Sequence, residues 1–198
     1  MTFSTEASSW CSPKPVDLSA APRIGDKAPS CPELPLPADN GKPAIVTFLR
    51  HCGCPVAEAT FIDIRKAASR QPDIDFIAVS HSDEPSTTKW VAAVGGTCEP
   101  GSQNPVTVIV DSNRRIYAKW GLGTTSWSHV LSPNALVNVI KLGRETGIWN
   151  RPTESGSRWQ SGGFWAIDAN GVVRWGRAAS RADDHIDVDE AVEAVTAQ

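Results

Sequence analysis

The chain has 198 residues, 40% of them apolar, and a formal net charge of −3. A chain of that length can bury about 70% of the surface that it exposes unfolded, so it can carry a full hydrophobic core. The slight acidity gives no electrostatic basis for binding nucleic acid or an anionic membrane surface. No run of about 18 apolar residues is present to form a membrane-spanning helix.

Residues 1–30 show neither a basic n-region nor an apolar h-region, so a cytoplasmic location is expected. In that compartment thiols are kept reduced. The five cysteines, an odd number, then point to catalysis, redox sensing or metal binding rather than to a disulfide framework.

Residues 1–23 hold Pro13, Pro15 and Pro22 among small polar residues and read as an irregular arm. Residues 24–198 read as one domain. Its first part, 24–43, is so rich in proline and turn residues that short edge strands or a hairpin are the most it can support. Ala44 to Leu49 is a compact apolar run, suited to a strand buried on both faces.

From Pro55 to Arg70 the period changes to that of a helix, with Val56, Ala59, Thr60, Ile64, Ala67 and Ala68 on one face. Pro55 suits the first helical turn, where its missing N–H costs nothing. Asp75 to Ser80 is the next strand, and a strand-helix-strand unit predicts parallel pairing with a right-handed crossover. Ser86 is placed to cap a short helix through Val94, and Val106 to Val110 reads as a third strand. Helical pieces follow at Arg114 to Trp120 and Pro133 to Leu142.

Residues 143–162 lack a clean period and read as a long functional loop. A hairpin follows: Gly163 to Ile167, a turn at Asp168-Ala169-Asn170-Gly171, and a return over Val172 to Trp175. Residues 187–197 close the chain as a helix with acidic residues in its first turn. The predicted class is α/β, with a central mixed sheet flanked by helices on both faces.

The stretch Arg50-His51-Cys52-Gly53-Cys54-Pro55 lies where the first strand becomes a helix. A free cysteine titrates near about 8.5, and helix N-termini and nearby cations lower that value. With Pro55 as first helical residue, Cys54 is the N-cap, facing unpaired N–H groups and the positive end of the helix dipole. Arg50 and His51 add a cation and a proton carrier. The alternatives are two half-buried core thiols and a zinc site. Cys-x-Cys is not the usual C-x₂₋₄-C knuckle and no second Cys/His pair follows, so no metal is expected.

Other polar groups carry weaker signals. His81 and Asp83 follow the second strand and read as solvated turn residues. Glu58 reads as a first-turn helix acid that can also relay protons. Of the eight tryptophans, Trp120, Trp127, Trp149, Trp159, Trp165 and Trp175 fall in the second half. Trp165 and Trp175 are expected in the core. Trp149 and Trp159, in a loop with Arg151 and Arg158, are candidates to line an apolar pocket beside the thiols.

Four segments resemble the peroxiredoxin-like (AhpC/TSA and peroxiredoxin-like-2) branch of the thioredoxin-fold superfamily. They are Ile24-Gly25-Asp26-Lys27-Ala28-Pro29, the joint from Phe48 to Pro55, Val110 to Leu122, and Gly163 to Trp175. The resemblance implies a thioredoxin-like fold and a thiol-dependent peroxidase or thiol–disulfide oxidoreductase with no cofactor. Cys54 holds the position of the family's attacking cysteine, and Cys52 is the natural resolving thiol.

Three positions depart from the family pattern. His51 stands where a Thr or Ser is usual, and Gly162 where an Arg is usual, with Arg158 the nearest upstream replacement. Ala57 stands where a C-x-x-C pair would place its second cysteine. The implied substrate is a small peroxide or organic molecule. The implied reductant is an external thiol such as thioredoxin or glutathione, and the family also admits a homodimer. The alternative is a thioredoxin-fold protein without peroxidase activity that binds or transforms an aromatic or isoprenoid-like molecule in a Trp-lined pocket.

Overall fold

The computed structural model of the chain describes residues 9–125 and 133–197. Trp127 lies outside the described residues. The elements, in order, are β1 (Ala44–Phe48), α1 (Pro55–Arg70), β2 (Asp75–Ser80), α2 (Glu84–Ala93), β3 (Thr107–Val110), α3 (Arg115–Lys119), α4 (Pro133–Thr146), β4 (Gly163–Ile167), β5 (Val173–Ala178) and α5 (Val188–Thr196).

Among the described residues the strands form one sheet in the order β3-β2-β1-β4-β5. β1 pairs parallel with β2, and β2 parallel with β3. β4 runs antiparallel to β1 and to β5. β1 is thus the central strand, and all five of its residues are buried. This accounts for its run of apolar and β-branched residues: a strand covered on both faces has no position for a solvated side chain.

The two faces of the sheet have separate cores. Ile45, Phe76, Ala78, Phe164 and Ala166 face α1 and α5, with Phe61, Ile64, Ala67, Ala68, Ala191 and Val195 opposite. Trp90 of α2 joins this side, edge-on to Phe61 at 5.2 Å between ring centroids. On the other face Val46, Phe48, Val79, Trp165 and Ile167 pack on Ile116, Tyr117 and Trp120. The mixed sheet with helices on both faces is the architecture that the pattern predicts.

Three details differ from the sequence reading. The cap of α2 is Asp83, whose side chain accepts from Ser86 N–H; Ser86 is already inside the helix. α4 continues to Thr146, four residues beyond the expected Leu142. β5 runs to Ala178, because β4 supplies a partner for Arg177 and Ala178 as well. Within residues 24–43 the pairing is limited to isolated bridges, Lys27 with Val172 and Cys31 with Leu34.

The chain before residue 23 holds no helix or strand among its described residues, yet it is fixed to the rest. Ser19 N–H donates to Ala118 O at 3.0 Å, and Trp165 Nε1 donates to Pro22 O at 3.2 Å.

Candidate active site

β1 and β2 part company at their carboxyl ends, and the site is built in that opening. Leu49 N–H still reaches Val79 O at 2.9 Å. Beyond it Tyr117 takes over: its hydroxyl donates to Leu49 O and Val79 O at 2.6 and 2.7 Å. Burial raises the Tyr117 phenol well above its ordinary value, with Asp111 adding to the effect, so this hydroxyl stays protonated and serves as a donor.

The chain then turns through residues 50–54 into α1. Cys54 is the N-cap, with extended backbone at φ −73° and ψ 124°, and Pro55 opens the helix. Cys54 O accepts from Glu58 N–H at 3.1 Å. The Cys54 side chain makes no capping bond to the first-turn N–H groups. Its sulfur accepts instead from Arg50 Nη1 at 3.7 Å. A sulfur this large and soft accepts over a longer distance than oxygen does, and the guanidinium favours negative charge there.

Arg50 is held by backbone on both sides. Nη1 also donates to Ala182 O at 3.2 Å, and Nη2 donates to Arg158 O at 2.6 Å. The position expected to carry the family's arginine, Gly162, cannot serve that way here. A Cβ at Gly162 would lie 2.6 Å from Phe48 O and 3.7 Å from Arg50 Cγ. The strand joint and the late strand approach too closely for a side chain at 162, and Arg50 fills the space from the other side.

Cys52 looks elsewhere. Its sulfur lies 3.6 Å from Ser80 Oγ and 3.8 Å from Thr87 Oγ1, and its N–H donates to Ser82 Oγ at 3.2 Å. Both cysteines are buried and no disulfide joins them. Gly53 between them has φ +120°, a conformation that a side chain disfavours. The backbone also crowds it: a Cβ there would lie 2.8 Å from Arg151 O.

The segment 151–158 closes over the joint. Arg151 N–H donates to Gly53 O at 3.0 Å. Its guanidinium grips Glu58 with two bonds, 2.7 and 2.9 Å. Glu58 is therefore the anchor of this segment rather than a solvated helix acid, and the pairing raises the Arg151 guanidinium further above its ordinary value.

Two histidines lie beneath the segment. His51 Nδ1 is 3.3 Å from Thr153 Oγ1. His81 Nε2 lies 3.1 Å from Ser157 N and 3.2 Å from Ser157 O. Burial depresses both rings, with neighbouring cations adding to the effect. His51 falls well below 6.5, and His81 falls to about 4. The reading of His81 as a solvated turn residue is corrected: the ring is 4% exposed, covered by residues 155–157.

Arg158 and Trp159 face the N-terminal arm. Arg158 Nε donates to Ser9 Oγ at 3.1 Å and Nη2 to Thr153 Oγ1 at 3.0 Å, and the guanidinium lies 4.8 Å from the Trp10 ring centroid. It meets Arg50 through its carbonyl, not its guanidinium. Trp159 is buried, edge-on to Trp10, and its Nε1 donates to Trp10 O at 2.9 Å. Trp149 is half exposed and lies against Gly143 of α4. These two tryptophans therefore do not line a common pocket beside the thiols. The aromatic wall near Cys52 is Trp90, which sequence reasoning passed over because it sits in a short, weakly amphipathic helix. Among the described residues no cluster of three His, Cys, Asp or Glu side chains is placed to hold a metal ion, and no helix is long and apolar enough to cross a membrane.

A mixed sheet with a cysteine at the cap of the helix after its central strand is the arrangement of the peroxiredoxin-like thioredoxin fold. Residues 63–180, more than half of the chain, match the family model for AhpC/TSA antioxidant enzymes, and the chain belongs to that family. The match begins inside α1, beyond both Cys52 and Cys54. No curated protein matches the chain.

Several solved structures share its fold. A thiol peroxidase from Chromobacterium violaceum has 16% identity and a TM-score of 0.51, covering 89% of this chain and 88% of that one. A peroxiredoxin-like protein from Aquifex aeolicus has 16% identity and a TM-score of 0.55, with 93% and 99% covered. A cysteine-to-serine mutant of peroxiredoxin 6 from Arenicola marina has 11% identity and a TM-score of 0.56, with 86% and 70% covered.

Proposed function

We propose that the protein is a thiol-dependent peroxidase in which Cys54 attacks a hydroperoxide and Cys52 resolves the product. The observation that carries this reading is Arg50 Nη1, 3.7 Å from the Cys54 sulfur at the cap of α1. A cation held by two backbone carbonyls supports a thiolate and a polarised peroxide oxygen at one place.

The Cys54 thiolate attacks the distal peroxide oxygen. The S–O bond forms, the O–O bond breaks, and the departing alkoxide takes a proton to leave as alcohol or water. The Cys52 thiol then attacks the Cys54 sulfenic acid, giving a Cys52–Cys54 disulfide and water. An external thiol of the thioredoxin or glutathione kind returns both cysteines to the thiol state. The small turn that the disulfide requires rests on the backbone freedom of Gly53.

The test is steady-state consumption of hydrogen peroxide and of an organic hydroperoxide with dithiothreitol as reductant. Wild type should turn over and Cys54→Ser should not. Equal, negligible rates for both proteins would overturn the proposal.

A further inference from the structure

The two cysteines differ in what reaches them. Cys52 forms part of the wall of a cavity of about 160 Å³ between α2 and the segment over the joint; Ser86, Trp90, Ala93 and Pro152 line it with Lys89 and Glu154 among its polar residues. Lys89 and Glu154 pair with each other at 2.5 Å, and Arg151, which also lines the space, pairs with Glu58. Trp90 is 5% exposed, and its indole N–H has no hydrogen-bond partner among the described residues. A buried donor without an acceptor is costly. Cys54 does not line this cavity; its sulfur is turned toward Arg50.

We infer that this cavity admits a low-molecular-weight thiol, which attacks the Cys52 sulfur of the Cys52–Cys54 disulfide. The inference rests on the proposed function, since it concerns the oxidised state that the peroxidase cycle creates. The incoming thiolate forms a bond to Cys52, the Cys52–Cys54 bond breaks, and Cys54 leaves as the thiolate beside Arg50. A second molecule of the thiol attacks the mixed disulfide, giving the small disulfide and a Cys52 thiolate, which takes a proton. Exchange is faster when the departing sulfur is the better-stabilised thiolate, and Arg50 makes that sulfur Cys54. The space is about five times the roughly 30 Å³ that a water molecule occupies in the liquid. That admits a thiol of a few heavy atoms or one slender cysteinyl arm.

The test uses the full chain oxidised with one equivalent of hydrogen peroxide. Appearance of the Cys52–Cys54 disulfide is scored first by peptide mapping; its absence overturns the peroxidase reading itself. The disulfide is then reduced by 2-mercaptoethanol in wild type and in Ala93→Phe, a substitution on an exposed part of the cavity wall. Reduction should slow at least tenfold in the variant. In a second arm, Cys54→Ser is incubated with 2-hydroxyethyl disulfide. The mixed disulfide should map to Cys52, and its yield there should fall when Ala93→Phe is added. An unchanged reduction rate in a folded Ala93→Phe, or no adduct on Cys52, overturns the inference. So does reduction of the wild-type disulfide by thioredoxin alone, with 2-mercaptoethanol inert.

Discussion

Arg151 reaches across from the late loop and closes a two-bond ion pair on Glu58, one turn into α1. Glu58 is buried while the Arg151 side chain is 41% exposed. Losing one partner of a fully buried pair costs about 3–5 kcal/mol, and the solvent around Arg151 reduces that figure. Glu58→Gln should therefore destabilise the fold by roughly 1–2 kcal/mol in urea unfolding. It should also raise the alkylation rate of Cys52, because residues 151–153 are released from the joint. An unchanged Cys52 rate would mean that the segment is held by other contacts.

Gly53 is constrained twice, by φ +120° and by backbone oxygen of Arg151 at 2.8 Å from the place of a Cβ. Neither constraint is a flexible side-chain tip that can swing aside. Gly53→Ala should cost about 2–3 kcal/mol, the scale of a backbone forced out of its allowed region. If the proposed disulfide cycle is correct, the variant should also form the Cys52–Cys54 bond more slowly after peroxide treatment. Thermal unfolding and mass mapping read the two effects separately.

His51 and His81 are buried as neutral rings, with folded values below the ordinary 6.5. Above that pH neither ring is protonated in either state, so their contribution to stability is constant. Below it the unfolded chain binds protons that the folded chain refuses, and stability falls as pH falls. For His81 the loss runs from about 6.5 down to about 4. Its size is on the order of 3 kcal/mol, from a difference of about two and a half pH units. His51, whose ring is also held well below 6.5 by burial, adds to the loss. His81→Gln should flatten the curve of unfolding free energy against pH over this window, and an unchanged slope would remove His81 from the account.

Much of this arrangement is legible in the sequence, for physical reasons. β1 is central and doubly covered, so its run from Ala44 to Phe48 is apolar but for the buried Thr47. Pro55 marks the start of α1 because only the first turn tolerates a missing N–H. What lies over the joint is not legible. His81-Ser82-Asp83-Glu84 is as polar as any surface turn, and the burial of His81 and Ser82 comes from residues 153–158, far away in sequence. Arg158 and Trp159 look like site residues, but Ser9 and Trp10 occupy them. Arg50 and Arg158 are equally eligible cations from sequence. The fold decides between them: the Arg158 guanidinium turns to Ser9, Thr153 and Trp10, and Arg50 reaches Cys54.

Arg50 donates to sulfur and to two carbonyls from one planar fork. Lysine has the charge but not the geometry. A hydrogen bond to a charged group contributes about 1.5–3 kcal/mol. Arg50→Met should thus slow the reaction of Cys54 with hydrogen peroxide by roughly tenfold to a hundredfold. Arg50→Lys should recover part of the loss. Stopped-flow tryptophan fluorescence under single-turnover conditions measures both.

The most direct measurement is the fate of Cys54 after one equivalent of hydrogen peroxide, read by peptide mass mapping with dimedone present. The account predicts a sulfenic acid trapped on Cys54 in Cys52→Ser, and a Cys52–Cys54 disulfide in the wild type. Cys54 left unmodified in both proteins, while peroxide is consumed at another cysteine or not at all, would contradict it.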